Sequence, residues 1–303
     1  MADADNATRA PESDAQETPA ASDNIQAPAP VAEAPVVGEH CVSDRPTPSG
    51  QSSTGEIIKL NDVDVYVSKP TDYPHAPSRL LLLLTGGTGI KSTNNQIQAD
   101  KFASEGYLVL MPDLFAGDTA PGATAITDDS TSILEQFKLK AVEVTKSFLI
   151  DMWLARVTEE RVMPILHKVI DAAREQYADT IKQGDGIYAA GYCVGARFVL
   201  LLAKQTKTPE GDAESGGVKN GPFIKAGALA HAASVIPDDF KDISVPLSLG
   251  GEDSLSDANV EHEVQVYPGV PHGFAVVGEY QDSSIKDAQA TAYDQMLNWL
   301  KAH

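Results

Sequence analysis

The run Tyr188-Ala189-Ala190-Gly191-Tyr192-Cys193-Val194-Gly195-Ala196-Arg197 joins a short apolar strand to a helix through a Gly-x-Cys-x-Gly turn. Such a turn is how a nucleophile is presented. The strand-to-helix reversal strains the backbone, and small residues two before and two after the centre prevent collision. Gly191 and Gly195 meet that need. The helix opening at Val194 aims free N–H groups and its positive end at the sulfur, which favours thiolate and makes the position reachable and reactive. The alternative is a small buried thiol on a glycine-flanked helix start.

A thiolate needs a base, and the base needs an orienting acid; around this kind of turn they follow the nucleophile in the order acid, then histidine. The apolar strand Val245 to Leu249 runs into Gly250-Gly251-Glu252-Asp253, which puts a carboxylate at its carboxyl end. Asp253 is the candidate acid, with Glu252 and Asp257 as rivals. Val264 to Tyr267 is followed by Pro268-Gly269-Val270-Pro271-His272-Gly273-Phe274, so His272 is the candidate base. Singly, each is read more simply as a turn former or a loop histidine bonded to backbone. In one chain, in the required order and each just after a strand, they form a catalytic constellation. His231, after the strand Ile224 to Ala230, is read as structural, and His40, His75 and His303 carry no claim.

The elements that position these residues are legible as apolar runs. Ile57 to Leu60 and Val63 to Val67, separated by Asn61-Asp62, read as an edge hairpin. Arg79 to Leu84 reads as a strand buried on both faces, ending in the loop Thr85-Gly86-Gly87-Thr88-Gly89. A helix around Gln96 to Ser104, a strand at Tyr107 to Met111 and a strand at Gly184 to Ala190 follow. Strands alternating with helices imply a mainly parallel sheet flanked by helices, with ligands at the strands' carboxyl ends. The periodic stretches Ile133 to Trp153 and Glu159 to Tyr177 are too much for one crossover and are assigned to a cap over the site. The last helix, with Ile285, Ala288, Ala292, Met296, Trp299 and Leu300 on one face, is expected to pack on the sheet.

Of the 303 residues, 42% are hydrophobic, enough for one large α/β domain, here residues 51–303. Residues 1–50 are rich in Ala, Pro, Ser, Asp and Glu and lack apolar periodicity, the composition of a disordered acidic tail. A net charge of −20 argues against nucleic acid and anionic membrane as partners, leaving a small molecule. No basic region followed by an apolar run opens the chain, and Leu80 to Leu84 is too short to span a bilayer. The two cysteines, Cys41 and Cys193, make no disulfide framework, which fits a soluble cytoplasmic protein with reduced thiols.

The elbow Gly191 to Gly195, the Gly250-Gly251-Glu252-Asp253 turn and the Pro268 to Phe274 loop closely resemble the dienelactone hydrolase family of α/β-hydrolases. Ala99-Asp100-Lys101-Phe102-Ala103 and Gly106 to Asp118 add to the match, which runs from about Ser53 to the C-terminus. The resemblance implies an α/β-hydrolase fold with Cys193 as nucleophile, His272 as general base and acid, and Asp253 as its partner. It implies thiolate attack on an ester or lactone carbonyl and hydrolysis of the resulting thioester, with no cofactor or metal. Val194 N–H and, from the loop after Leu84, Gly87 N–H are the expected oxyanion donors.

The chain departs from the family in three places. Gly86 stands where members carry an acidic residue beside the thiol. Gly273 to Val277 is apolar where bacterial enzymes place an arginine for the substrate carboxylate, leaving Arg197, one turn past Cys193, as a candidate anchor against the plainer reading of an exposed helix arginine. The interval from Asp253 to His272, 19 positions, leaves Ser254 to His262 too short for the usual helix. These departures motivate the alternative of a catalytically impaired small-molecule binding protein on the same fold.

Overall fold

The computed structural model describes residues 42–122, 147–205, 221–250 and 260–303. Eight strands form one mixed sheet in the order β1-β2-β4-β3-β5-β6-β7-β8. They are β1 (Glu56–Leu60), β2 (Val63–Ser68), β3 (Arg79–Leu84), β4 (Tyr107–Pro112), β5 (Ile187–Tyr192), β6 (Ala226–Ala230), β7 (Leu247–Gly250) and β8 (His262–Gln265). The β1–β2 and β2–β4 pairs are antiparallel, and the rest of the sheet is parallel. This is the α/β-hydrolase architecture. The first hairpin turns on Asn61 and Asp62, both at positive φ (44° and 68°), as a two-residue turn between twisted strands requires.

Side chains alternate across a strand, so the leucine run of β3 supplies two cores at once. Leu80, Leu82 and Leu84 join one buried cluster, with Leu166, Val169 and Ile170 of α3 (Glu159–Gln176) and Val199 and Leu200 of α5 (Val194–Leu202). Leu81 and Leu83 join the other, with Phe102 of α1 (Thr93–Ser104) and Met296 and Leu300 of α6 (Ser283–Ala302). The apolar face of α6 thus meets the sheet as expected, with Ile285 and Ala288 at its margin. The stretch Glu159 to Tyr177 does not cap the site. It is α3, packed on β1 and β2 with Val162, Ala172 and Ala173 also buried. Of the other proposed cap stretch, only α2 (147–154) is described, and there Trp153 is buried against Phe115 with ring centroids 5.1 Å apart. A short helix, α4 (Ala178–Gln183), precedes β5.

Residues 42–50, read from composition as part of the tail, pack against the domain. Val42 is buried in the core, Ser92 Oγ donates to Asp44 Oδ1 (2.8 Å), Asn94 Nδ2 to the Arg45 carbonyl (2.7 Å) and Glu279 N–H to the Pro46 carbonyl (2.9 Å). The boundary near Gly50 is therefore placed too late, because main-chain carbonyls rather than a periodic apolar pattern hold this strap. Among the described residues no helix is long and apolar enough to cross a membrane.

Candidate active site

Cys193 sits between β5 and α5 with φ 53° and ψ −123°, a conformation L-residues adopt only under constraint. The constraint is local. A Cβ on Gly191 would lie 2.8 Å from Ala196 Cα, and one on Gly195 would lie 2.3 Å from the Leu84 carbonyl oxygen. Only glycine lets α5 start this close to β3 and β5. The elbow is tied to β6 by Cys193 N–H to the Ala230 carbonyl (3.3 Å) and by Ala233 N–H to the Cys193 carbonyl (3.1 Å). At the very start of α5, no described residue accepts from the Val194 N–H, and the same holds for Gly87 in the loop after β3.

Contrary to the expected reachability, Cys193 is only 1% exposed. It lines a cavity of about 20 Å³ together with Asp44, Arg45, Gly86, Thr88 and His231. The strap and the Gly86 loop cover the thiol. A Cβ on Gly86 would lie 3.1 Å from Cys193 Cβ and 3.7 Å from Sγ, so glycine occupies the place beside the sulfur. Val276 and Val277, in the stretch that lacks the arginine, also face the cavity. The guanidinium of Arg45 stacks over the Tyr280 ring, 4.8 Å from its centroid.

The His272 loop is held on two sides. Gln98 on α1 donates to the Tyr192 hydroxyl (3.1 Å) and accepts from Val277 N–H (3.0 Å), bridging the elbow strand to the loop. Gln289 on α6 donates to the Phe274 and Val276 carbonyls (3.0 and 2.6 Å). Burial pushes the Tyr192 hydroxyl pKa far up, so it acts in this bridge as a neutral phenol. His272 packs edge-on against His231, ring centroids 5.1 Å apart, and its Nε2 is shut off from solvent with no hydrogen-bond partner among the described residues. His231 follows β6 at positive φ (39°), with its N–H on the Gly250 carbonyl (3.1 Å). Its sequence context reads as structural, but it lies at the carboxyl end of a central strand, as Cys193 does, and that position is the signal that marks it.

Arg197 is not at the cavity. Its Nε and Nη2 reach Asp239 Oδ2 (2.7 Å) and Oδ1 (3.3 Å), in a pair whose side chains are 17% and 3% exposed. Contrary to the expected anchor role, this guanidinium is committed to a buried carboxylate that also caps the turn at Pro237–Phe240, accepting from Ile236 N–H. Asp253, with its rivals Glu252 and Asp257, lies outside the described residues. The parallel pairing of Leu247 with His262 stands despite the short connection between β7 and β8. Among the described residues no three His, Cys, Asp or Glu side chains gather as a metal site.

The profile of the dienelactone hydrolase family matches residues 63–303. Hydrolase pyvD of Aspergillus violaceofuscus is 26% identical over 264 residues, covering 82% of this chain and 90% of the relative. Hydrolase tropI of Talaromyces stipitatus is 28% identical over 259 residues, with coverage of 82% and 90%. A putative dienelactone hydrolase from Klebsiella pneumoniae shares the fold at a TM-score of 0.55 and 18% identity, covering 82% of this chain and 99% of that one.

Proposed function

The chain belongs to the dienelactone hydrolase family, enzymes acting on ester bonds, and from that premise we propose that it hydrolyses lactones or small esters through a Cys193-His272-Asp253 triad. The observation that carries the reading is the strained Cys193 backbone (φ 53°, ψ −123°) at the N-terminus of α5. In this reading the thiolate attacks the carbonyl carbon, and the oxyanion is held by the Val194 and Gly87 N–H groups. Collapse expels the alcohol oxygen, which takes its proton from His272, and leaves an acyl thioester. His272 then removes a proton from water as the water oxygen attacks the thioester. The C–S bond breaks, the carboxylic acid is released, and the Cys193 thiolate is regenerated beside protonated His272. Asp253 orients His272 throughout. The apolar wall at Val276 and Val277 favours neutral substrates over carboxylate-bearing ones.

The test is reaction with p-nitrophenyl acetate, followed by intact-protein and peptide mass spectrometry. Wild type is expected to turn over through an acyl adduct on Cys193, and Cys193→Ala to do neither while remaining folded. Turnover surviving in the Ala variant overturns the reading. The competing reading, an impaired binding protein, is favoured by the water-sized cavity at the thiol; it requires acylation that stops at one equivalent.

A further inference from the structure

A second imidazole stands in this site without a task. The ring of half-buried His231 lines the Cys193 cavity, and its Nδ1 is closed off from solvent with no hydrogen-bond partner among the described residues. Leaving a buried polar atom unmet costs free energy, so a native site normally supplies water or ligand. The cavity, about 20 Å³, holds about one water. His272 does not itself line the cavity, but its ring packs 5.1 Å from that of His231, and its Nε2 is a second buried atom without a hydrogen-bond partner among the described residues. The His231 ring is fixed by its neighbours: the Tyr192 ring is 5.7 Å away, the Phe274 ring 6.1 Å, and its backbone is pinned to Gly250.

We propose that His231 positions the hydrolytic water of the deacylation step, accepting one of its hydrogens at Nδ1 while His272 Nε2 takes the other. The proposal rests on the acyl-Cys193 reading. The water's oxygen bonds to the thioester carbon, one proton passes to His272, the C–S bond breaks, and the sulfur leaves as thiolate. The hydrogen held by His231 stays on oxygen and leaves with the acid. A neutral imidazole with its proton on Nε2 is the form this requires. Burial and the nearby His272 both hold the His231 pKa well below its ordinary value of 6.5, which keeps the ring neutral.

The test separates acylation from deacylation in His231→Phe and His231→Asn. Phe keeps a planar ring and loses the acceptor; Asn keeps an acceptor on the atom next to Cγ. With p-nitrophenyl acetate in rapid mixing, both variants are expected to acylate Cys193 at close to the wild-type rate. Deacylation in His231→Phe is expected to slow by about 10- to 100-fold, with acyl-enzyme accumulating in the mass spectrum. His231→Asn is expected to recover most of that loss, and added hydroxylamine to discharge the acyl-enzyme of the Phe variant quickly. Equal losses in both steps, or unchanged deacylation in His231→Phe, overturn the proposal. If the Phe variant fails to fold, equal deacylation by His231→Asn and the acceptor-displacing His231→Gln does so. Absence of any Cys193 adduct in wild type refutes instead the reading on which the proposal rests.

Discussion

Gly195→Ala tests whether the elbow's geometry rests on the close approach of two main-chain segments. The added Cβ would lie 2.3 Å from the Leu84 carbonyl oxygen, 2.5 Å from the Leu84 carbonyl carbon and 2.6 Å from the Thr85 carbonyl oxygen. Ordinary contact begins at 3.4 Å, so the first falls short by 3.4 − 2.3 = 1.1 Å. All three atoms are backbone at the end of β3, and no rotamer change relieves them. The start of α5 must therefore lift by about 1 Å, carrying Cys193 away from the Gly86–Gly87 loop. Overpacking of this kind costs about 3 kcal/mol, at the upper end of its usual range. In a domain of this size that lowers Tm by roughly 6–12 °C. A displacement of about 1 Å at the nucleophile lowers kcat/KM by about 100-fold. Gly106→Ala is the control: φ is also positive (94°), but nothing lies within 4 Å, so only backbone strain of about 1 kcal/mol remains. The assays are thermal unfolding and activated-ester hydrolysis on both variants. The reasoning fails if Gly195→Ala keeps activity within about threefold and melts no lower than Gly106→Ala.

Arg197→Ala should leave the buried Asp239 carboxylate unpaired and lower stability by about 3 kcal/mol in urea unfolding, with no change in the kcat/KM ratio for carboxylate-bearing and neutral esters. Removing residues 1–50 should lower Tm by several degrees, because Val42 burial alone contributes about 1.5–3 kcal/mol, whereas removing 1–41 should leave Tm near wild type; calorimetry of the two truncations decides this. His231 gives a pH signature. Its pKa is held below the unfolded value of 6.5, so between the two values the unfolded chain binds more protons and stability falls as pH drops below about 6.5. The Tm of wild type should therefore fall more than that of His231→Phe between about pH 7.5 and about pH 5.5.

The readable parts of this chain are those where one physical requirement admits few residues. β3 was legible because a strand buried on both faces must be apolar at every position, and Leu80 to Leu84 is. The elbow was legible because two main-chain approaches below 3 Å admit only glycine at 191 and 195. The placement of α3 was not. Its apolar face, with Leu166, Val169 and Ile170, declares that something covers it, but the same periodicity serves a lid or a sheet. The sequence places the start of β5 at Gly184, but Asp185 and Gly186 turn at positive φ (58° and 142°), a backbone state the apolar pattern does not encode. The strap was unreadable for a different reason: the Arg45 and Pro46 contacts use carbonyls that every residue carries.

Gly86 gives His231 its significance. With glycine beside the sulfur, no carboxylate from that loop can share the thiol or compete for an imidazole proton; in the proposed mechanism, activation falls to the α5 N-terminus and the histidines, with Asp44 and Arg45 the charged groups that also line the cavity. Two imidazolium charges about 5 Å apart would repel by about 3 kcal/mol at an effective dielectric near 20. That repulsion, added to its burial, keeps His231 neutral. A neutral second ring can hold a water or a substrate oxygen at the cavity without adding a charge to a thiolate–imidazolium pair. Substituting a guanidinium, which stays protonated even when buried, as in His231→Arg, should therefore impair hydrolysis more than the apolar His231→Phe, because it disturbs the charge balance of the site as well as removing the acceptor.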